Sequence, residues 1–345
     1  MILEGQGNLI AAECDALVNT VNTVGVMGKG VALQFKQAFP ANFKEYEAAC
    51  KRGEVQVGQM YVTRTGMLIP RLIINFPTKR HWKGNARLED VRAGLKDLRR
   101  IVESEGVQSI AIPPLGCGLG GLRWGDVRPL IVDTFMHLDV EVTLFEPGHT
   151  PATEERMVRT VKPKLTEWRA ALVALMDSYS ELAFEATHLE AQKLMYFMEA
   201  AGESFKEHFA KGEYGPYDQG MRHALVGMEG HYLRGFGEGK RLDPVAVLPS
   251  AREETSHYLE DHPQTLQRLG RVKRLIAGFE SPYGLELLAT VHWVVTQEDS
   301  SAATDADKAV ALAHAWNARK RRALRTEHLR IAWHRLRDEG WFETN

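Results

Sequence analysis

The sequence predicts an α/β sandwich, a sheet with helices on both faces, followed by a mostly α-helical domain. Three observations predict it. Short apolar runs alternate with helical periodicity through the first 150 residues, the order that builds a sheet with helices on both faces. Two of those runs empty into glycine-rich loops that lead straight into helices. Beyond about residue 155, helical periodicity dominates. A chain of 345 residues is long for one core, so two domains are expected, 1–152 and 153–345. The turn-rich Pro147-Gly-His-Thr-Pro-Ala-Thr153 is the expected linker.

In chain order, residues 1–4 read as a first strand and Glu4–Leu9 as a turn. Asp15-Ala-Leu-Val18 reads as a short buried strand. Residues 19–31, Asn-Thr-Val-Asn-Thr-Val-Gly-Val-Met-Gly-Lys-Gly-Val, form the first glycine loop. The helix after it carries Val31, Leu33, Phe35, Ala38 and Phe39 and ends at Phe39-Pro40. A second helix covers about 41–51, stopped by Gly53. Residues 57–63 and 67–75 read as strands around Thr65-Gly66. The second of them delivers Phe76-Pro-Thr-Lys-Arg-His-Trp-Lys83 to the sheet's carboxyl edge. Residues 89–105 are an amphipathic helix with Val91, Leu95, Leu98, Ile101 and Val102 on one face. Residues 107–113 are a buried strand running into the second glycine loop, Pro114-Leu-Gly-Cys-Gly-Leu-Gly-Gly-Leu122. A helix from about Trp124 to Leu138 and the strand Glu141–Phe145 close the domain. Helices are then expected at 154–176, 187–202, 219–234, 263–279, 284–297, 305–321 and 326–338. Glycines and prolines at 212–216, 235–244 and 281–284 separate several of them.

Composition sets limits. No run approaches 18 uninterrupted apolar residues, so no membrane span is expected. No basic segment precedes an apolar one at the start, so no signal peptide is expected. Cys14, Cys50 and Cys117 are odd in number and scattered, which fits reduced thiols in a cytoplasm. Neither they nor His188, His208, His223 and His231 have zinc-ligand spacing, so no metal and no cofactor are expected. Net charge is −2, with 17 Lys+Arg against 16 Asp+Glu in residues 1–150 and 26 against 29 beyond. A DNA-facing enzyme of this balance needs a local patch rather than a basic surface. The run Ala318-Arg-Lys-Arg-Arg322, with Asp305, Asp307 and Glu327 nearby, reads as a solvated helix face.

The chemistry gathers at the two glycine loops. Strand, glycine loop and helix make an anion site, because glycines let backbone N–H groups approach a phosphate and the helix start adds roughly +0.5 charge. One such loop serves equally well as a structural turn. Two in one domain, at the carboxyl edge of a parallel sheet, suit a diphosphate. Neither a Walker A loop nor a dinucleotide fingerprint fits the spacing.

Gly7-Asn-Leu9, Asn19-x-x-Asn22 with Gly28-Lys-Gly30-Val-Ala, and Pro114-Leu-Gly-Cys-Gly118 together resemble the macrodomain, a mixed sheet between helices that binds ADP-ribose. Asn75-Phe-Pro-Thr-Lys79 and Gly116-Cys-Gly-Leu119 resemble the branch that holds the terminal ADP-ribose–glutamate glycohydrolase and the DarG antitoxins. DarG antitoxins remove ADP-ribose from DNA and oppose DarT, a DNA ADP-ribosyltransferase toxin. The resemblance covers about residues 1–150. Leu189, Gln192, Lys193, Leu194, Tyr196 and Phe197, with Gly215-Pro-Tyr217, resemble the Panacea antitoxin domains, which bind a cognate toxin.

The resemblance implies a hydrolase, a DNA ADP-ribosyl glycohydrolase, whose first domain frees thymidine in single-stranded DNA of ADP-ribose. It implies a second domain that binds and inhibits a DarT-type toxin. The implied partners are ADP-ribose, ADP-ribosylated single-stranded DNA and that toxin. ADP-ribose is expected against Asn8, Leu9, Asn19, Gly28, Lys29, Gly30 and Val31, and against Leu115, Gly116, Cys117, Gly118, Leu119 and Gly120. Asn8 stands where Asp is commoner in the family. Gly120 stands where the glutamate glycohydrolase has an aspartate, and no paired-carboxylate motif replaces it. Asp126 reads as a helix-start residue and Cys117 as a small loop filler.

Lys79 and Asn22 are therefore the expected catalytic residues. Deprotonated, Lys79 could attack C1 of a ring-opened ribose; protonated, it could stabilise or protonate the leaving group. Arg80 and Lys83 are expected to lower its pKa. Asn22 is expected to orient the distal ribose or a water. Arg80, Trp82 and Lys83 are expected to hold DNA, by phosphate contact or base stacking. A non-catalytic ADP-ribose reader on a protein-binding scaffold is the alternative.

Overall fold

The computed structural model describes residues 1–148, 157–182, 186–204, 209–236 and 244–343. His208 and residues 149–153 of the expected linker lie outside them. The chain divides into two units, Met1–Val161 and Lys162–Asn345. The first runs past residue 152 because Met157 packs against the cluster holding Phe35 and Phe39. Two residues on, the Arg159 N–H donates to the Gln37 carbonyl at 2.8 Å.

The first unit is built from β1 (Ile2–Gly5), β2 (Ala16–Asn22), α1 (Gly30–Ala38), α2 (Pro40–Lys51), β3 (Tyr61–Arg64), β4 (Leu72–Lys79), α3 (Leu88–Ser104), β5 (Ser109–Ile112), α4 (Trp124–Phe135) and β6 (Glu141–Phe145). Its strands form one sheet in the order β1-β6-β5-β2-β4-β3. Only β3, paired with β4, runs antiparallel. Successive side chains of β2 point to opposite faces. Ala16 and Val18 join Val91, Leu95 and Leu98 of α3 with Val127 and Ile131 of α4, while Leu17 joins Phe35 and Ala38 of α1. The expected sandwich of a mixed sheet between helices is what forms.

Both central strands run further than their apolar runs. β2 continues past Val18 to Asn22, and β4 past Asn75 to Lys79. Burial on both faces overrides the weak strand preference of Asn and Pro. Pro77 is tolerated because the ladder breaks beside it. Val21 pairs with Pro77 but Asn22 pairs with Lys79, leaving Thr78 as an extra, bulged residue.

The second unit carries α5 (Glu167–Leu182), α6 (His188–Ala200), β7 (Ala210–Gly212), β8 (Gly215–Tyr217), α7 (Gln219–Met228), β9 (Leu233–Arg234), β10 (Ala246–Val247), α8 (Pro249–Glu260), α9 (Pro263–Ile276), α10 (Pro282–Trp293), α11 (Ala306–Ala315), α12 (Ala318–Ala323) and α13 (Thr326–Asp338). Leu194, Phe197, Val272, Leu288, Leu329 and Trp333 share its core.

Three expectations are corrected here and one unforeseen helix is added. The first helix starts at Glu167, after a non-helical stretch containing Pro163. Residues 219–234 are helical only to Met228, because β9 pairs with β10. The expected helix 305–321 breaks at Asn317, whose side chain accepts the Lys320 N–H at 2.8 Å and starts α12. The helix α8 escaped the sequence because its buried positions, Ala251, Thr255 and Leu259, are mostly small or polar and make no apolar stripe.

The basic run 318–322 also differs from the solvated face expected. Lys320 is 0% exposed. It and Arg319 each reach Glu286 of α10 at 2.6 Å, and Lys320 also donates to Thr290 Oγ1 at 2.8 Å. Burial alone would push the Glu286 carboxyl up; the two cations outweigh it and hold the carboxyl below its ordinary range.

His292 of α10 is equally deep. Its Nδ1 meets the Tyr196 hydroxyl at 2.7 Å and its Nε2 the Trp341 carbonyl at 3.1 Å. That arrangement suits a neutral ring with the proton on Nε2. Burial lowers its pKa from 6.5 to about 4, against the Trp341 carbonyl and helped by Arg271. The unfolded chain therefore takes up this proton near pH 6.5 and the folded chain only near 4. Stability should fall as pH drops through that window, by on the order of 3 kcal/mol. Thermal unfolding between pH 7 and 4 checks this, and His292→Gln should remove that part of the pH dependence.

Candidate active site

Because β2, β4 and β5 are parallel neighbours, the loops after them open on one edge of the sheet. The first, residues 23–29, is folded around Asn22. Asn22 Oδ1 accepts the N–H groups of Val24 at 3.0 Å and Val26 at 3.3 Å, and its Nδ2 donates to the Val26 carbonyl at 2.6 Å. The Tyr46 hydroxyl of α2 donates to the Asn22 carbonyl at 2.5 Å. Asn22, expected to orient a ribose or water, is here the frame of the first glycine loop. Helix α1 follows with Lys29 as its N-cap and no side-chain cap bond. The N–H groups of Val31 and Ala32 in its first turn find no acceptor among the described residues. This is an uncapped positive helix end.

The second glycine loop is held by its own turns. Cys117 N–H donates to the Pro114 carbonyl at 3.1 Å, Gly121 N–H to Gly118 at 3.1 Å and Leu122 N–H to Gly116 at 3.0 Å. Gly116 sits at φ +71°, where a side chain is strained. Among the described residues, no acceptor takes the N–H groups of Gly118, Leu119 and Gly120. A Cβ at Gly118 would meet nothing within 4 Å, whereas one at Gly120 would lie 2.3 Å from the Gly116 carbonyl oxygen. The backbone thus excludes any side chain at 120, the position where the glutamate glycohydrolase has an aspartate. Leu115 is wholly buried, backbone included, and so offers no surface to a ligand, against expectation. Burial, then the Asp126 carboxylate, pushes the Cys117 thiol up to about 11. It stays protonated, as suits a loop filler. Asp126 itself lies in the first turn of α4, paired with Arg123 at 2.9 Å.

Between these loops stands the end of β4. Lys79 Nζ donates to the Leu119 carbonyl of the second glycine loop. Burial holds its pKa below the ordinary lysine value, and burial is the whole cause. The neighbouring cations expected to lower it do not enter. Arg80 is engaged by Asp90 of α3 in a two-point ion pair, at 2.5 and 2.9 Å. The Arg80 side chain remains about half exposed despite that pairing, at 53%. Trp82 and Lys83 remain exposed, with Trp82 stacked on His81 at 5.4 Å and Lys83 Nζ over its ring at 4.9 Å.

Asn8 lies beyond the carboxyl end of β1 and accepts the Ile10 N–H at 3.0 Å, capping the turn that buries Leu9. Asn19 is corrected more sharply. It is 0% exposed, and its Nδ2 donates to Asn75 Oδ1 at 3.0 Å. It belongs to the sheet's interior rather than to a ligand surface. Thr23, Tyr46 and Asp90 were not foreseen. Each acts through a tertiary contact with no local sequence signal; Thr23 Oγ1, for example, donates to the Arg80 carbonyl at 2.7 Å.

In the second unit, His188 packs edge-on to Tyr217 and Phe236, and His223 is exposed. Among the described residues, no group of three or more His, Cys, Asp or Glu is arranged to hold a metal, and no helix is long and apolar enough to cross a membrane.

Comparison with known proteins identifies the family. The macro domain family model matches residues 18–131. A DNA ADP-ribosyl glycohydrolase of Thermus aquaticus is 45% identical over 97% of this chain and 92% of its own length. One of Mycobacterium tuberculosis is 40% identical over 97% of this chain and 99% of its own. A DNA ADP-ribosyl transferase–DNA ADP-ribosyl glycohydrolase fusion protein of Thermosipho africanus is 33% identical over 41% of this chain and 41% of its own.

If the second loop takes the anion as expected, its two glycines should separate binding from folding. Gly118→Glu has room for its Cβ, so the melting temperature should hold while ADP-ribose affinity falls by about 100-fold or more, through blocked N–H groups and added negative charge. Gly120→Ala should lower both, since the loop must shift. Calorimetric titration beside thermal unfolding of the two variants checks this pair.

Proposed function

This chain belongs to the DNA ADP-ribosyl glycohydrolase family, and we propose on that premise that its first unit releases ADP-ribose from thymidine in single-stranded DNA while its second binds and inhibits the cognate ADP-ribosyltransferase toxin. The observation that carries the first half is the meeting of Lys79 with the second glycine loop, beside backbone N–H groups that find no acceptor among the described residues. In this reading the diphosphate lies between the first turn of α1 and the N–H groups of Gly118, Leu119 and Gly120. The distal ribose then extends toward the end of β4, where Lys79 and Asn22 are partners across the ladder.

Lys79 is the group turnover depends on. Its lowered pKa raises the fraction of free amine available to attack C1 of the ring-opened distal ribose, whose bond to the base then breaks, leaving a lysine imine and the free base. As an ammonium it would instead give its proton to the departing base. The two-carboxylate route of many glycosidases has little support in these loops, given Gly120 and the Arg123–Asp126 pair. Trp82 offers a stacking face to a neighbouring base and Lys83 a charge to a phosphate. Stacking of that kind needs an unpaired base, which favours a single strand.

The second half is supported by similarity that extends over nearly the whole chain, well beyond the first unit. The Thermosipho relative, which joins transferase and glycohydrolase in one chain, supports a transferase as the partner.

Incubation with ADP-ribosylated single-stranded DNA should release free ADP-ribose, and Lys79→Ala should slow release by about 100-fold or more. A borohydride-trapped adduct on Lys79 would mark amine attack. The same variant should inhibit the transferase as well as the unmodified chain does. Residues 162–345 should capture that transferase in a pull-down. Capture by residues 1–161 only, or by neither fragment, would sink the division of labour.

A further inference from the structure

Lys79 reaches the second glycine loop through the Leu119 carbonyl. That carbonyl and the Gly120 N–H belong to one planar trans peptide, so they point in opposite directions. The Gly120 N–H has no acceptor among the described residues. On the next peptide, the Gly120 carbonyl accepts the Ala86 N–H at 3.0 Å. Both peptides flanking Gly120 are therefore held from the segment 79–86. The residue itself cannot help, since no side chain fits there and glycine leaves its backbone torsions loose.

The segment that does the holding is itself anchored. Lys79 is the ladder partner of Asn22. The next residue, Arg80, is fixed to Asp90 at 2.5 and 2.9 Å through its guanidinium and to Thr23 at 2.7 Å through its carbonyl. A lysine on so firm a base can set a flexible peptide plane. A cation on the carbonyl also polarises the peptide, which makes its N–H a better donor.

We infer that Lys79 is a positioning residue for ligand binding besides being the residue turnover depends on: it sets the Leu119–Gly120 peptide so that the Gly120 N–H is presented to the diphosphate of a nucleoside-diphosphate sugar. The inference rests on the reading above that this loop takes the diphosphate. Removing the amine loosens the peptide, and the ligand must then order it at its own expense.

The test uses the full chain, ADP-ribose as probe and Lys79→Met, which keeps the length of the side chain and loses the donor. Affinity in calorimetry should fall about tenfold, the worth of one hydrogen bond. The loss should be alike at about 50 mM and about 500 mM salt, because a fixed peptide geometry is not screened. In amide-detected NMR of the free proteins, the Gly120 signal should shift and broaden in the variant while the melting temperature holds. Unchanged affinity, an unmoved Gly120 signal, or a deficit that disappears at high salt would each overturn the inference, the last because it reports plain charge attraction. No binding of ADP-ribose by the unmodified chain would instead sink the reading on which the inference rests.

Discussion

A buried ladder of amides sets the register on which the first unit depends. Asn19 and Asn75 are partners across β2 and β4, and they share a side-chain hydrogen bond at 3.0 Å. Asn75 Nδ2 donates to Asn42 Oδ1 of α2 at 2.7 Å, and the same oxygen accepts Thr63 Oγ1 of β3 at 2.7 Å. Two strands and a helix are thus locked to β2 at one depth. A slip by one residue would turn Leu17 and Val18 to the wrong faces and leave several buried amides unpaired. Apolar packing alone penalises the first error; the amides add the second. With the register fixed, the bulge at Thr78 brings Lys79 opposite Asn22. The chemistry at the sheet's edge is an outcome of that alignment several residues upstream.

The same ladder shows how far the sequence can be read. The glycine loops were legible because their job is written in residue type: close backbone approach and positive φ leave few alternatives to glycine. Fold class was legible from periodicity. Asn19 was misread because it stands in the same Asn-Thr-Val-Asn run as Asn22, and nothing local says which asparagine faces the interior. Strand pairing decides that, across 56 residues to Asn75. The Arg80–Asp90 pair was illegible for a related reason. A run of cations beside a phosphate site gives no sign in sequence that tertiary structure will set Asp90 against one of them. What sequence gives poorly is the partner of a polar side chain, since either outcome uses the same residue type.

In the second unit the same difficulty appears with charge. The run 318–322 looks solvated because lysines and arginines are mostly found at the surface. Lys320 is buried because Glu286 and Thr290 satisfy it from α10, and Arg319 adds a second cation to the same carboxylate. A buried pair of this kind gains little net stability, since desolvation offsets the attraction. Removing one member is expensive, so such a group ties α12 to α10 in one arrangement.

Gly120 joins these threads to the chemistry. A loop that must bring its N–H groups against a diphosphate has to shed side chains, and at 120 the Gly116 carbonyl enforces that absolutely. Such a loop binds well but carries no acid or base of its own, and its thiol, Cys117, is held protonated. In the proposed reading the reactive group must therefore come from a neighbouring element. The end of β4 is suited to this: it is rigid, buried on both faces up to Thr78, and aligned by the amide ladder. Moving the functional group from loop to strand separates two demands that conflict at one position, closeness to the anion and possession of a side chain. It also makes Lys79 answerable to both, because the bond that holds it in place ends on the loop whose N–H groups it serves.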